Sequence, residues 1–227
     1  MYQISLFLKR VFDIVGSIIV IVVLIPVWII IAILIANDSE GPIIFKQERR
    51  TRNGMVFNMY KFRSMVVNAE KMGAGLFNYE NDPRVTRVGR FIRDTSIDEL
   101  PQIFNILFGH MSFVGPRPCV KYELGDFETL NNRYKKRFEV KAGLTGLAQV
   151  MGRNNISWDD KVEFDNQYVD LFKKYGIIYD VKIIMLTIGK VFKHENIYEN
   201  KSDSSISDEE AAKREEEEII RIAHLPD

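Results

Sequence analysis

Cysteine is all but missing from this 227-residue chain. Cys119 stands alone, so no intrachain disulfide braces the fold, and a reducing compartment suits it. Histidine is scarce as well: His110, His194 and His224 pair in sequence with no Ser or Cys nucleophile. No GxxxxGK[ST] loop cradles a nucleotide, and no Cys/His cluster has metal-ligand spacing. No Asp-x-Asp pair occurs, and the nearest approach, Glu163-Phe164-Asp165, is a weak metal–nucleotide signal. Net charge is also absent, with 31 Lys+Arg against 31 Asp+Glu, so nothing draws the whole chain to nucleic acid. There are no internal repeats.

What is present is unevenly placed. Residues 41–93 carry eleven bases and four acids, whereas the stretch from Asp203 onward carries nine acids and three bases. A basic block close behind a hydrophobic segment fits an anionic membrane surface or a polyphosphate. The hydrophobic segment is "VFDIVGSIIVIVVLIPVWIIIAILI", residues 11–35, long enough to cross a bilayer as a helix and too long for a signal-peptide core. Lys9 and Arg10 precede it; Lys46, Arg49, Arg50 and Arg52 follow it. The positive-inside rule places both flanks in the cytoplasm, and Pro26 removes a backbone hydrogen bond past the midpoint. A bent helix entering and leaving by one face reconciles these features; a plain spanning anchor with a tolerated proline is the alternative.

The stretch "DTSIDELPQIFNIL" sets Asp98 and Glu99 side by side before an apolar run. Ser96 and Glu99 match a capping box, while Pro101 favours a first helical turn at itself; both readings put the acids at or beside a helix N-terminus. Two adjacent carboxylates call for a counter-charge, and a hard divalent cation such as Mg²⁺ supplies one. Cations crowd the surrounding sequence. Arg84, Arg87, Arg90 and Arg93 recur every third residue, Lys61 and Arg63 stand in "YKFRSM", and Arg117 is held between prolines in "GPRP". Arginine binds phosphate through a planar fork, so this conjunction points to phosphoryl transfer, although a surface charge accounts for any one Arg alone. A carboxylate can also attack phosphorus directly to form an acyl phosphate.

The pattern gives an α+β fold in three parts: a membrane helix over 1–40, a small, mostly helical catalytic domain over 41–200, and an acidic linker with a helical tail over 201–227. Short strands are expected in "IIFKQERR" and 55–65 around an Asn53-Gly54 turn. Helices are expected over 97–109, 121–138 and 158–175, with turns and short strands over 143–153. An amphipathic helix over 179–193 fits the core or a membrane surface. The tail opens on a Ser207/Glu210 capping box and reads as a solvated helix, with a contact to a second copy through Ile219, Ile220, Ile222 and Leu225 as the alternative.

The motifs "KRVFDIVGS", "FKQERR", "YKFRSM", "DPRVTRVGRFIRDTSIDELPQIFNIL", "GHMSFVGPRP", "GLTGLAQVMGRNNISW" and "YDVKIIMLTI" occur in that order. Over residues 3 to about 195 the chain closely resembles the bacterial sugar transferases, the small monotopic polyprenyl-phosphate phosphoglycosyl transferases. The resemblance implies transfer of a sugar-1-phosphate from a UDP-sugar to undecaprenyl phosphate with release of UMP. This would take place on the cytoplasmic face of the bacterial inner membrane and open synthesis of a surface glycan. It implies Asp98 as the nucleophile, Glu99 and Asp98 at Mg²⁺, Arg93 on phosphate, and Lys61, Arg63 and Arg117 at further substrate positions. It also implies a re-entrant helix broken at Pro26. Ile25 replaces a Ser of some members, and Ala142 replaces the proline that usually precedes "GLTG", which predicts a looser loop. Asn154, Asn155 and Trp158 are candidates for sugar contacts, with turn capping as the plainer reading. Membrane lipid is an expected partner, a homo-oligomer an allowed one, nucleic acid an unexpected one; the bases of "RYKKRF" are assigned to lipid headgroups. Two other functions compete, a membrane-attached glycosyltransferase that releases UDP and a non-catalytic scaffold of a glycan assembly complex.

Overall fold

The structure is a computed structural model that describes residues 2–72, 82–152, 156–192, 217 and 219–224. Helix α1, Tyr2–Asp38, runs unbroken in its hydrogen-bonding class through Pro26. Its 37 residues correspond to about 55 Å of rise. A hairpin follows, β1 (Ile44–Arg50) against β2 (Val56–Phe62), antiparallel and in register from Ile44 opposite Phe62 to Arg50 opposite Val56. Its turn holds Asn53 and Gly54 at φ 58° and 72°, the left-handed geometry that this dipeptide tolerates best.

Helix α2 (Arg87–Asp94) is capped by Thr86, whose side chain accepts from the Gly89 amide. Helix α3 (Gln102–Leu107) leads into β3 (Met111–Val114), which pairs in parallel with β4 (Ala142–Thr145). Short helices α4 (Asn132–Lys136) and α5 (Leu147–Met151) flank β4. Helix α6 (Trp158–Tyr175) has Ser157 as N-cap, Asp159 and Asp160 in its first turn and Lys173 and Lys174 in its last, so caps and charges both match the helix dipole. Helix α7, Ile177–Phe192, follows Gly176 directly. The mixed helix-and-strand architecture with a long apolar N-terminal helix agrees with the sequence. The stretch 121–138 differs. Only 132–136 is α-helical, because Gly125 adopts φ 70° and Asn131 caps a new start by accepting from the Tyr134 amide.

One face of α1 packs on the domain along its length. Lys9, Asp13, Ser17, Ile31 and Ile35 are buried, and Val20, Ile21, Val27 and Trp28 pack on domain clusters between them. The four-residue spacing is that of one helix face. Lys9 bonds the Val114 carbonyl and Asp180 of α7; Arg10 caps the end of α3 through the carbonyls of Ile106 and Leu107. Asp13 accepts from Ser112 Oγ and the Phe113 amide. At the far end Asp38 accepts from the Val88 amide, and Arg63 bonds the carbonyls of Ile35, Ser39 and Pro42. Both termini of α1 are therefore tied by polar bonds to the same domain. The opposite face is apolar and open, from Phe7 through Val22 and Val23 to Ile33. On α7, Ile178, Val181, Met185, Leu186 and Ile188 are exposed while Ile183 is fully buried. Helix α7 thus serves the core and presents an apolar surface, which merges the two alternatives drawn from its sequence.

Candidate active site

A tight reversal places the acid pair. Helix α2 ends at Asp94, Ser96 turns the chain at φ 57°, and Asp98 and Glu99 sit in a 3-10 turn, Ile97–Glu99, before Pro101 starts α3. A left-handed backbone at a residue bearing Cβ costs about 1–2 kcal/mol. The capping box does not form: the Ser96 side chain caps nothing, and the proline sets the helix start.

Glu99 is clamped between two cations. Lys61 Nζ lies 3.0 Å and Arg117 Nη2 2.8 Å from the same oxygen, Oε1. Their charges hold the Glu99 carboxyl well below the usual carboxylate range despite burial. Asp98 is 9 % exposed, and no ion pair holds it among the described residues. Burial pushes its carboxyl up to about 6; Lys61 pulls it down, the Glu99 charge pushes it up, and Arg93 and Arg117 pull it down more weakly. Adjacent carboxyls have thus been driven apart, one fixed in ion pairs and one poised near neutrality, the arrangement acid–base and nucleophilic sites use.

Arg117 is held by its own backbone. The carbonyl of Pro116 accepts from the Gly143 amide (2.8 Å), that of Arg117 from Arg137 Nη2 (2.8 Å), that of Pro118 from Arg49 Nη1 (2.7 Å) and that of Cys119 from the Arg50 amide (3.0 Å). Four consecutive carbonyls are pinned from outside, and prolines 116 and 118 fix φ between them. Gly115 and Gly143 make the approach possible, since a Cβ on Gly143 would lie 2.1 Å from the Gly115 nitrogen. Arg137 is 3 % exposed and paired with Asp165 at 2.8 Å. The acid pair, Lys61, Arg93, Arg117, Arg137 and Trp158 line a cavity of about 1280 Å³, whose other walls are Phe12, Gly16, Ile19 and Val20 of α1 and Ile184 and Ile188 of α7. The lining of the cavity thus combines charged and apolar side chains.

Residues 4–194 match the bacterial sugar transferase family. The chain belongs to that family. It is 41 % identical over 208 residues to an undecaprenyl-phosphate galactose phosphotransferase of Salmonella typhimurium, an alignment covering 86 % of this chain and 42 % of the relative. It is 39 % identical over 202 residues to a UDP-glucose:undecaprenyl-phosphate glucose-1-phosphate transferase of Klebsiella pneumoniae, covering 86 % and 42 %. An uncharacterized sugar transferase of Bacillus subtilis, EpsL, is 39 % identical over 191 residues, covering 84 % of this chain and 90 % of the relative. The chain therefore spans about two fifths of the length of the first two of these relatives.

In this bacterial sugar transferase the cations named from sequence do not all converge. Lys61, Arg93 and Arg117 surround the acids. Arg63, 4 % exposed, lines the same cavity but directs its guanidinium to carbonyls at the end of α1. Arg84 is buried against Asp82 and bonds the carbonyls of Ala69 and Met72. Arg87 and Arg90 are exposed on α2. Trp158 lies on the cavity wall with Arg137 and Lys161 over its ring, at 5.2 and 5.5 Å. Asn154 and Asn155 lie outside the described residues, as do Ser207, Glu210 and Leu225.

The bases of "RYKKRF", assigned to lipid headgroups from the sequence, have partners within the chain. Arg133 pairs with Asp159, Lys136 with Asp170 and Arg137 with Asp165, while Lys135 bonds the Glu128 carbonyl. Every base in that run has an intrachain partner. Ala142 also changes meaning, because its amide donates to Thr51 Oγ1 at 3.1 Å, a bond a proline cannot make, so the loop gains a tie where looseness was expected. Burial pushes the Cys119 thiol up to about 11, far from a thiolate nucleophile.

Proposed function

We propose that this chain transfers a sugar-1-phosphate from a UDP-sugar to undecaprenyl phosphate and releases UMP, the first membrane step of a surface glycan. The observation that carries this reading is the poised Asp98 beside the clamped Glu99, in a cavity also lined by apolar residues of α1 and α7. The names of the relatives agree with it. In the first step an Asp98 carboxylate oxygen bonds the phosphorus that carries the sugar. The bond from that phosphorus to the bridging oxygen breaks, and UMP leaves with the electron pair. In the second step a phosphate oxygen of the lipid bonds the same phosphorus, and the acyl-phosphate bond breaks to restore the carboxylate. Arg93 and Arg117 orient phosphate oxygens and offset their charge, and Lys61 holds Glu99 in line.

Among the described residues no three His, Cys, Asp or Glu side chains converge as a protein-only metal cage. Two adjacent carboxylates without a third fit Mg²⁺, which takes one or two carboxylates together with substrate phosphates. Asp98 and Glu99 would hold it, and the ion would neutralise charge on the phosphates.

The lipid substrate requires the site at headgroup height. Because α1 is bonded to the domain from end to end, a helix that crossed the bilayer would draw the domain's polar surface into roughly 30 Å of hydrocarbon. Bonds from Lys9, Arg10 and Asp13 at one end and from Asp38 at the other, all to one domain, support a re-entrant helix. On this reading α1 dips as one continuous helix that carries Pro26 inside it. The exposed faces of α1 and α7 enter one leaflet, and the domain lies on the cytoplasmic face of the inner membrane.

The test is nucleotide release. Purified protein with undecaprenyl phosphate, Mg²⁺ and a panel of UDP-sugars is expected to yield UMP with at least one donor and to stop on chelation. UDP as the product would establish the glycosyltransferase alternative, and no turnover with any donor would establish the scaffold.

A further inference from the structure

Residues 219–224 lie beyond the segment that matches the family, yet they are built into the domain. They form a helical turn whose Ile219 and Ala223, 8 % and 0 % exposed, pack with Cys119, Leu124, Leu130, Tyr134, Phe138 and Val162. Polar bonds fix the register. The Asn131 amide donates to the Ala223 carbonyl at 2.9 Å and its side chain to that of Ile222 at 3.2 Å; His224 Nε2 sits 3.1 Å from the Leu124 carbonyl. Gly125 makes room for the ring, because a Cβ there would lie 2.8 Å from His224 Nε2. The solvated or second-copy helix expected from the sequence is thus replaced, over 219–224, by a segment seated on its own chain.

The seat lies behind the Arg117 loop. Cys119 follows Arg117 by two residues, and its carbonyl takes the Arg50 amide. The Arg50 guanidinium bonds the carbonyls of Lys121 and Gly125, the latter next to the carbonyl that meets His224. Phe138, in the apolar seat, follows Arg137, which holds the Arg117 carbonyl. Two of the four donors that pin the loop are therefore mounted on the wall that the C-terminal segment covers.

We infer that the C-terminal segment is an intramolecular ligand of the domain: it fills the seat between Leu124 and Val162 and holds the Arg117 loop in position from behind. Its effect on turnover, though not on the loop, rests on the function proposed above. Ile219 and Ala223 touch no reacting group and act as positioning residues.

The test uses the full chain carrying Ala223→Glu, with Ile219→Ala as the milder variant should the first not fold. Hydrogen exchange is followed at 219–224 and at the hydrogen-bonded amides of Arg50, Val120 and Lys121. Undocking is expected to speed exchange about tenfold or more at both places. Release of 219–224 with Arg50, Val120 and Lys121 as protected as before would overturn the inference. In turnover, the variant is expected to lose about tenfold in kcat/KM alone and less than twofold in an Arg117→Ala background, the non-additivity of residues acting through one another. Equal losses in both backgrounds would also overturn it. A native chain that releases no UMP would refute the proposed function instead, and the exchange comparison would still decide the role of the segment.

Discussion

At the residue scale the site rests on two neighbouring carboxyls made unlike. Asp98 titrates near 6 when folded and near 3.8 when not, so the folded chain binds more protons between those values and loses stability as pH rises through that window. Its ionised form at neutral pH costs about 1–3 kcal/mol. Asp98→Asn should therefore raise stability by that amount at pH 7.5, with the gain vanishing near pH 4, as denaturant midpoints would show. The cations divide in the same spirit. Arg117→Ala should raise the KM for the donor and lower kcat. Arg63→Ala should lower the melting temperature while the donor KM stays within about twofold, since its bonds go to the end of α1. Sequence put both arginines in one group because residue type and spacing reveal a charge but not its partner. The partners of Arg63 lie 21 to 28 residues away, and those of Arg137 lie 20 and 28 away.

At the element scale the best-read pieces are those with strong local chemistry. The Asn53-Gly54 turn appears where the dipeptide demands it, and α6 spans 158–175 as its pattern predicts, with Ser157 as cap. The misread piece, 121–138, contains good helix formers, but Gly125 and the caps at Asp126 and Asn131 break it into turns. Helix α1 is where local reading stops. Length, hydropathy and Pro26 serve a spanning and a dipping helix alike, whereas tertiary bonds at both ends favour the second. Single cysteines at position 3 and position 40, in a Cys119→Ser background, should both react with an impermeant maleimide added to inside-out membrane vesicles. Labelling of only one would mean a crossing helix. The exposed face of α7 belongs to the same surface, and Ile178→Glu with Met185→Glu is expected to weaken binding to anionic vesicles while far-UV circular dichroism stays unchanged.

At the scale of the whole molecule, one cavity is lined both by charged residues of β2, the Ile97–Glu99 turn and the Arg117 loop and by apolar residues of α1 and α7. That union suits a reaction between a soluble nucleotide and a lipid that stays in the bilayer. The sequence carried the acid pair, the clamp residues and the membrane helix, because each is a departure from ordinary surface composition. It did not carry the roles of Arg49, Arg137 and Asp165, whose partners are set only by the fold around the Arg117 loop. The most direct measurement of the central claim is a trapping experiment. Protein incubated with a UDP-sugar labelled on the phosphate next to the sugar, with Mg²⁺ and without lipid, is quenched in acid and mapped by peptide. Label on the peptide containing Asp98, absent from Asp98→Asn and discharged by undecaprenyl phosphate, is the predicted result. Label that persists in Asp98→Asn, or UMP release with no protein-bound label in the native chain, would contradict it.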